Sequence, residues 1–248
     1  MPFNIRLMLE YDGGCFHGWQ KQPGLYTVQG ELQRALQIVL RCPLDPPCGA
    51  SRTDAGVHAK GQVANVIVPL EPKLGALQRS LTGILRGKAA VLKVEQVPED
   101  FNARFSARCK QYTYTILNRP EPAVLDKGRV WHVRAPLNIE VMRTQAALFV
   151  GEHDFGAFRA QDCSASSSIR RVLESEIISA PPYVYYRVVG EGFLKQMVRI
   201  MVGTLVGLGR SQKGVKLVSE LLVCADRRLA GVTAPACGLC LDWVAFSS

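Results

Sequence analysis

Along the first stretch of the chain, Phe3, Ile5, Leu7, Leu9 and Tyr11 alternate with Asn4, Arg6, Met8 and Glu10. A period of two predicts a strand with one buried face. Val28, Leu32, Ala35, Leu36, Val39 and Leu40 then recur at helical spacing behind Thr27, a suitable N-cap. Residues 62–68 and 90–97 read as strands, with a helix over 74–85 whose end Gly83 weakens.

The second half repeats the pattern. Tyr112, Tyr114 and Ile116 share one face of a strand, with Gln111, Thr113 and Thr115 on the other. Ile139, Met142, Ala146 and Phe149 form a helical stripe. Residues 171–178 and 183–189 read as a hairpin turned by Ser179-Ala180-Pro181-Pro182. Phe193, Met197, Ile200, Met201, Leu205 and Leu208 line a long helix; a short helix over 215–222 and a strand over 239–246 follow. Each half therefore reads as β-α-β(β)-α-β, the split βαβ, ferredoxin-like order. The expected fold is α+β, with two such halves at 1–105 and 106–248. The join falls where Pro98-Glu99-Asp100 breaks the pattern. Laid edge to edge, the halves would share a mainly antiparallel sheet with helices on one face and a central cleft. No low-complexity segment or long linker separates them, so they are expected to fold as one body.

Composition narrows the class. A hydrophobic share of 48% is enough for a packed core and excludes wholesale disorder. Lys and Arg number 30 against 21 Asp and Glu, a formal charge of +9, which points to a polyanionic partner: nucleic acid or an anionic membrane surface. No apolar run reaches the ~18 residues of a spanning helix, and the opening residues lack a basic segment followed by an apolar one, so neither membrane insertion nor secretion is expected. Eight widely spread cysteines read as reduced thiols of a cytoplasmic protein.

The segment Gly49-Ala50-Ser51-Arg52-Thr53-Asp54-Ala55-Gly56-Val57-His58 is the most unusual. Small residues let backbone approach a ligand closely. An aspartate beside an arginine can be kept ionised, fit to act as nucleophile or general base. The plain alternative is a type I turn in which Asp54 bonds its own backbone.

The wording of that segment, with Gly61-Gln62-Val63 after it, resembles the signature loop of the tRNA pseudouridine synthase A family. The resemblance extends in order through Glu10-Tyr11-Asp12-Gly13, Phe16-His17-Gly18-Trp19-Gln20-Lys21-Gln22 and Val28-Gln29-Gly30-Glu31-Leu32. It continues through Phe101-Asn102-Ala103-Arg104-Phe105-Ser106-Ala107, Tyr112-Thr113-Tyr114 and Gly151-Glu152-His153-Asp154-Phe155 to Phe193-Leu194-Lys195-Gln196-Met197-Val198-Arg199 and Gly238-Leu239-Cys240-Leu241.

That resemblance implies the pseudouridine synthase fold, with RNA in the cleft. It also implies isomerisation of uridine to pseudouridine in the tRNA anticodon stem-loop, at positions 38, 39 and/or 40. The enzyme would be a homodimer using no metal and no other cofactor. Asp54 stands where the family keeps its nucleophile. Arg52 would enter the stem or hold phosphate, and Arg199 would pair with Asp54 across the cleft. Tyr112 would stack on the uracil and Leu241 would press on it. Unstacking a target base costs a few kcal/mol, which phosphate contacts must offset. Residues 101–134 carry seven basic side chains against two acidic ones, and 195–228 repeat that ratio. Arg104, Lys110, Lys195 and His58 are accordingly expected to touch RNA.

Three readings compete. One is a catalytically silent tRNA-binding or chaperone protein of the same fold. Another is a zinc or redox protein built on the CxxC of Cys237 and Cys240. The last makes Tyr112 a sheet tyrosine and Arg199 a surface charge. The chain also departs from the family pattern. Ser51 replaces a usual glycine, which requires a negative φ there, and Leu85-Arg86 with Gly83 replaces a segment that usually carries asparagine and Leu-Pro.

Overall fold

The period-2 run at the start of the chain forms the strand around which the first half is built. In this computed structural model, which describes residues 2–246, the elements in chain order begin with β1 (Phe3–Tyr11), α1 (Val28–Leu40), β2 (Cys48–Gly49), β3 (His58–Val68), α2 (Leu74–Ile84) and β4 (Ala89–Val97). They continue with β5 (Ala107–Asn118), β6 (Trp131–Val133), α3 (Ile139–Ala147), β7 (Gly151–Asp154), β8 (Ile169–Ala180), β9 (Tyr183–Gly190), α4 (Met197–Gly209), α5 (Val218–Cys224) and β10 (Leu239–Phe246). No helix among the described residues is long and apolar enough to cross a membrane.

The chain divides into two compact units, Met1–Arg108 with Leu241–Ser248, and Cys109–Cys240. The sequence pattern drew the join at 105/106 and left the last strand with the second half. In the structure, residues from Leu241 onward group with the first unit, because β10 lies beside β3. The close approach of Gly61 to the Asp242 carbonyl marks that contact.

In the first unit the strands run β4-β1-β3-β10, and β2 pairs with β3. The pairings of β1 with β3, β1 with β4 and β2 with β3 are all antiparallel. This is the predicted split βαβ arrangement, with β10 as an added strand. Ile5, Leu7, Leu9 and Tyr11 are buried, each apolar side chain contributing roughly 1.5–3 kcal/mol. α1 starts where Thr27 accepts a hydrogen bond from the Gly30 N–H, and it packs beside α2.

Asn4 breaks the alternation: it sits on the polar side of the pattern yet is 3% exposed. Its amide donates to the carbonyls of Pro98, Glu99 and Phe101 at 3.0, 3.3 and 2.8 Å. Asn65 on β3 donates to Asn4 Oδ1 at 3.0 Å and accepts from the Ala103 N–H at 2.9 Å. Two buried amides thus pin the segment that follows β4.

In the second unit β5, β9, β8 and β7 lie in that order, all antiparallel, and short β6 runs parallel to β5. α3 packs against β8 and α4. Two helices differ from the pattern. α4 begins at Met197, so Phe193 and Lys195 precede it; Gln196 at its N-terminus takes a left-handed φ of 61°. α5 begins at Val218 because Glu220 reaches back to the Leu217 N–H at 3.0 Å.

Replacing Asn4 by Ala takes the side-chain donor from the Pro98 and Glu99 carbonyls and the acceptor from Asn65, while the Phe101 carbonyl keeps the Asn65 amide at 3.3 Å. An unfilled buried acceptor costs about 1–3 kcal/mol. The variant is expected to lose about 2–3 kcal/mol and to melt several degrees lower by circular dichroism; an unchanged melting temperature would contradict the anchoring role.

Candidate active site

The predicted site residues fall into two sets, one in each unit. In the first, the antiparallel register places Tyr11, the last residue of β1, opposite Ala59 at the start of β3. The loop carrying Asp54 feeds into β3 at this end. The pattern set the strand's start at Gln62, but it begins at His58, so the loop is shorter than expected.

Gln62 is fully buried and organises that loop. Its amide donates to the Ser51 carbonyl at 2.7 Å and to the Tyr11 hydroxyl at 3.3 Å; its Oε1 accepts from the Ser51 and Val63 N–H groups, both at 3.2 Å. The Tyr11 hydroxyl in turn lies 2.8 Å from Thr53 Oγ1. The Trp19 N–H donates to the Thr53 carbonyl at 3.0 Å, and Ala50 N–H donates to the Val63 carbonyl at 2.8 Å. The Val57 N–H donates to the Asp54 carbonyl at 3.1 Å, closing a tight turn. Every residue from Ala50 to Val57 therefore lies between fixed points. Asp54 itself is half-buried and Arg52 is exposed.

The motifs around residues 12–19 gain a physical reason here. A Cβ at Gly13 would stand 2.1 Å from the Val57 carbonyl oxygen. At Gly18, with φ +86°, it would stand 2.9 Å from the Thr53 carbonyl oxygen. Only glycine lets this chain segment lie on the back of the Asp54 loop. His58, expected to contact RNA, is 7% exposed. Its Nδ1 accepts from the Gly13 N–H at 3.1 Å, with Asp12 Oδ1 3.2 Å away. It braces the loop from behind. Ser51 does not take a positive φ, so the departure from glycine is accommodated. Leu85 is buried and Arg86 exposed. Leu241, on β10, is fully buried, and Arg104 is exposed.

In the second unit, Tyr112 on β5 is 5% exposed and meets Phe193 edge-on, ring centroids 5.4 Å apart. Phe193 is available because α4 starts after it. Lys110 is half-buried on the same strand. Arg199 is half-buried rather than a surface charge. Its Nε donates to the Ala234 carbonyl at 2.8 Å, and the Ala234 N–H donates to the Arg199 carbonyl at 3.1 Å. Thr204, one turn further along α4, accepts from the Gly231 N–H at 3.0 Å. The segment from 231 to 234 is thereby strapped to α4. Lys195 is exposed, its ammonium 2.5 Å from Asp162, which holds the Asp162 carboxyl below the usual carboxylate range.

Both cysteines of the CxxC segment, Cys237 and Cys240, are half-buried. None of the eight cysteines is in a disulfide. Among the described residues, no cluster of three or more His, Cys, Asp or Glu side chains could hold a metal. The Cys237 Sγ lies 3.6 Å from the Val130 carbonyl, and burial pushes its thiol up from the ordinary value.

Comparison with known proteins decides the family. A model described as tRNA pseudouridine synthase matches residues 145–247. A tRNA pseudouridine synthase A of Syntrophotalea carbinolica is 42% identical over 243 residues, covering 98% of this chain and 96% of the relative. One of Citrifermentans bemidjiense is 43% identical over 241 residues, covering 96% of this chain and 95% of the relative. The chain belongs to the tRNA pseudouridine synthase A family. Membership makes it an isomerase of tRNA processing, as the sequence resemblance implied. The likeness to the solved structure titled "Crystal Structure of a Cbf5-Nop10-Gar1 Complex" is distant, 14% identical with a TM-score of 0.36 over 95% of this chain and 57% of that one.

Two outcomes follow for this pseudouridine synthase. Tyr11→Phe removes the hydroxyl that Thr53 and Gln62 share. It should lower kcat by about 10- to 100-fold, because small misplacements of reacting groups are that costly, while the Kd for tRNA stays near wild type. A raised Kd with unchanged kcat would contradict the positioning role. Alkylation with iodoacetamide near neutral pH should modify exposed Cys15 and Cys224 before Cys237, whose raised thiol pKa leaves little thiolate. Cys237 reacting first, by peptide mass spectrometry, would contradict that assignment.

Proposed function

We propose that this chain converts uridine to pseudouridine in the anticodon stem-loop of tRNA, at positions 38, 39 and/or 40, with Asp54 as the nucleophile. The observation that carries this reading is the anchoring on both sides of Asp54: Ser51 and Thr53 before it, Val57 after it. A loop anchored in this way needs little reorganisation when a base arrives.

The chemistry asks for little else. The N1–C1′ bond breaks with its electron pair passing to the uracil. The ring turns, C5 bonds to C1′, the C5 proton leaves and N1 gains one. Asp54 holds one fragment meanwhile, by adding to C1′ or to C6. Atoms and electrons balance without an oxidant or a metal. Tyr112 takes the stacking contact with the uracil, with Leu241 packed behind the site, Arg199 contributes positive charge to substrate binding, and Arg52 takes a place at the vacated stem position. Arg104, Lys110 and Lys195 serve the phosphate backbone, the sequence-independent source of affinity. His58 serves the loop and not the RNA directly. The protein acts in the cytoplasm as a homodimer.

Asp54→Asn tests the reading. Release of tritium from C5-labelled tRNA should fall to background, while tRNA binding stays within about three-fold of wild type, since one neutralised carboxylate removes no phosphate contact. Label release at the wild-type rate would overturn the assignment.

A further inference from the structure

The segment after β4 ends in a turn whose side chains point to a use that the reaction itself does not require. Asn102 Oδ1 accepts from the Arg104 N–H at 3.0 Å and the Phe105 N–H at 3.2 Å. The Ser106 N–H donates to the Asn102 carbonyl at 2.8 Å, and Ser106 Oγ accepts from the Asn102 N–H at 3.1 Å. Beneath the turn, Ala103 is fully buried in one cluster with Ala50 and Val63. Asn4 and Asn65 fasten the Phe101 carbonyl and the Ala103 N–H. The turn is therefore fastened to the sheet, and through Ala50 it shares a wall with the Asp54 loop.

On this hydrogen-bonded turn Phe105 is 78% exposed. The Arg104 guanidinium lies 5.4 Å from its ring centroid. A large aromatic held in water by a fully bonded turn has its rotational cost already reduced, and a cation over one face leaves the other face for a second π-system. Base–aromatic stacking uses this arrangement and tolerates any sequence.

We propose that Phe105 stacks on an unpaired base of the bound tRNA, with Arg104 covering the ring's opposite face. This rests on the tRNA reading above. Charge favours RNA as the occupant over a second copy of the chain. Residues 101–134 carry seven basic side chains against two acidic ones, and the chain as a whole is +9, so two copies would bring like charge together at this tip.

The test uses the intact protein and unmodified tRNA. Phe105→Ala should weaken tRNA binding by about 5- to 100-fold, the effect of losing one base stack, with the salt dependence unchanged because no phosphate contact is lost. Phe105→Trp should bind as wild type, and its added indole emission should be quenched when tRNA is supplied. Three outcomes would overturn the proposal: Phe105→Ala binding within about two-fold of wild type; indole emission at 105 indifferent to tRNA; or Phe105→Ala changing the oligomeric state by sedimentation, which would assign the ring to a subunit contact. If wild-type protein neither binds tRNA nor releases C5 tritium, the functional reading fails. If it does both and Phe105→Ala matches it, only the stacking role fails.

Discussion

One buried amide, that of Gln62, governs how Asp54 is presented. With no exposure to water it makes two bonds as donor and two as acceptor, three of them to backbone groups. Losing a partner of this kind in the interior costs about 1–3 kcal/mol. The loop cannot move away from the amide without incurring that cost. The position of Asp54 thus follows from the register of β1 against β3, which brings the Tyr11 hydroxyl and the Gln62 amide to the same end of the sheet.

The same device recurs under the turn at 102–106, where Asn4 and Asn65 take the place of Gln62. Buried polar networks are costly when incomplete and specify one geometry when complete. Here both networks sit on the strands of the first unit and hold the Asp54 loop and the turn at 102–106. The second unit positions Arg199 differently, by a reciprocal pair of backbone and side-chain bonds to Ala234 along an apolar helix. Tyr112 relies on packing instead, its ring edge-on against Phe193.

Elements with strong periodicity were legible in the sequence. β1, α1, α2 and β10 lie within a residue or so of where the pattern puts them. The first unit's strand order follows the split βαβ expectation. Legibility fails where tertiary contacts outweigh local pattern. The residues at the start of β3, His58-Ala59-Lys60-Gly61, have no alternation, and pairing with β1 makes them a strand. Phe193 fits a helical stripe, yet the left-handed Gln196 starts α4 after it. β10 follows the second half in sequence but lies beside β3.

The wording of its loop is what singled out Asp54. Tyr11 and Gln62 were visible only as motif letters, because a hydrogen-bond network across two strands has no signature in either strand alone. His58 illustrates the converse: its place next to the Asp54 loop suggests RNA contact, whereas burial and the Gly13 N–H point to a bracing role. The central claim, that the Asp54 loop is set before RNA arrives, is tested most directly by amide hydrogen exchange in the protein without tRNA. The N–H groups of Trp19, Ala50, Ser51 and Val57 should exchange slowly, at rates that adding tRNA leaves unchanged. Rapid exchange that slows only when tRNA is added would show that the substrate builds the loop, and would contradict the account.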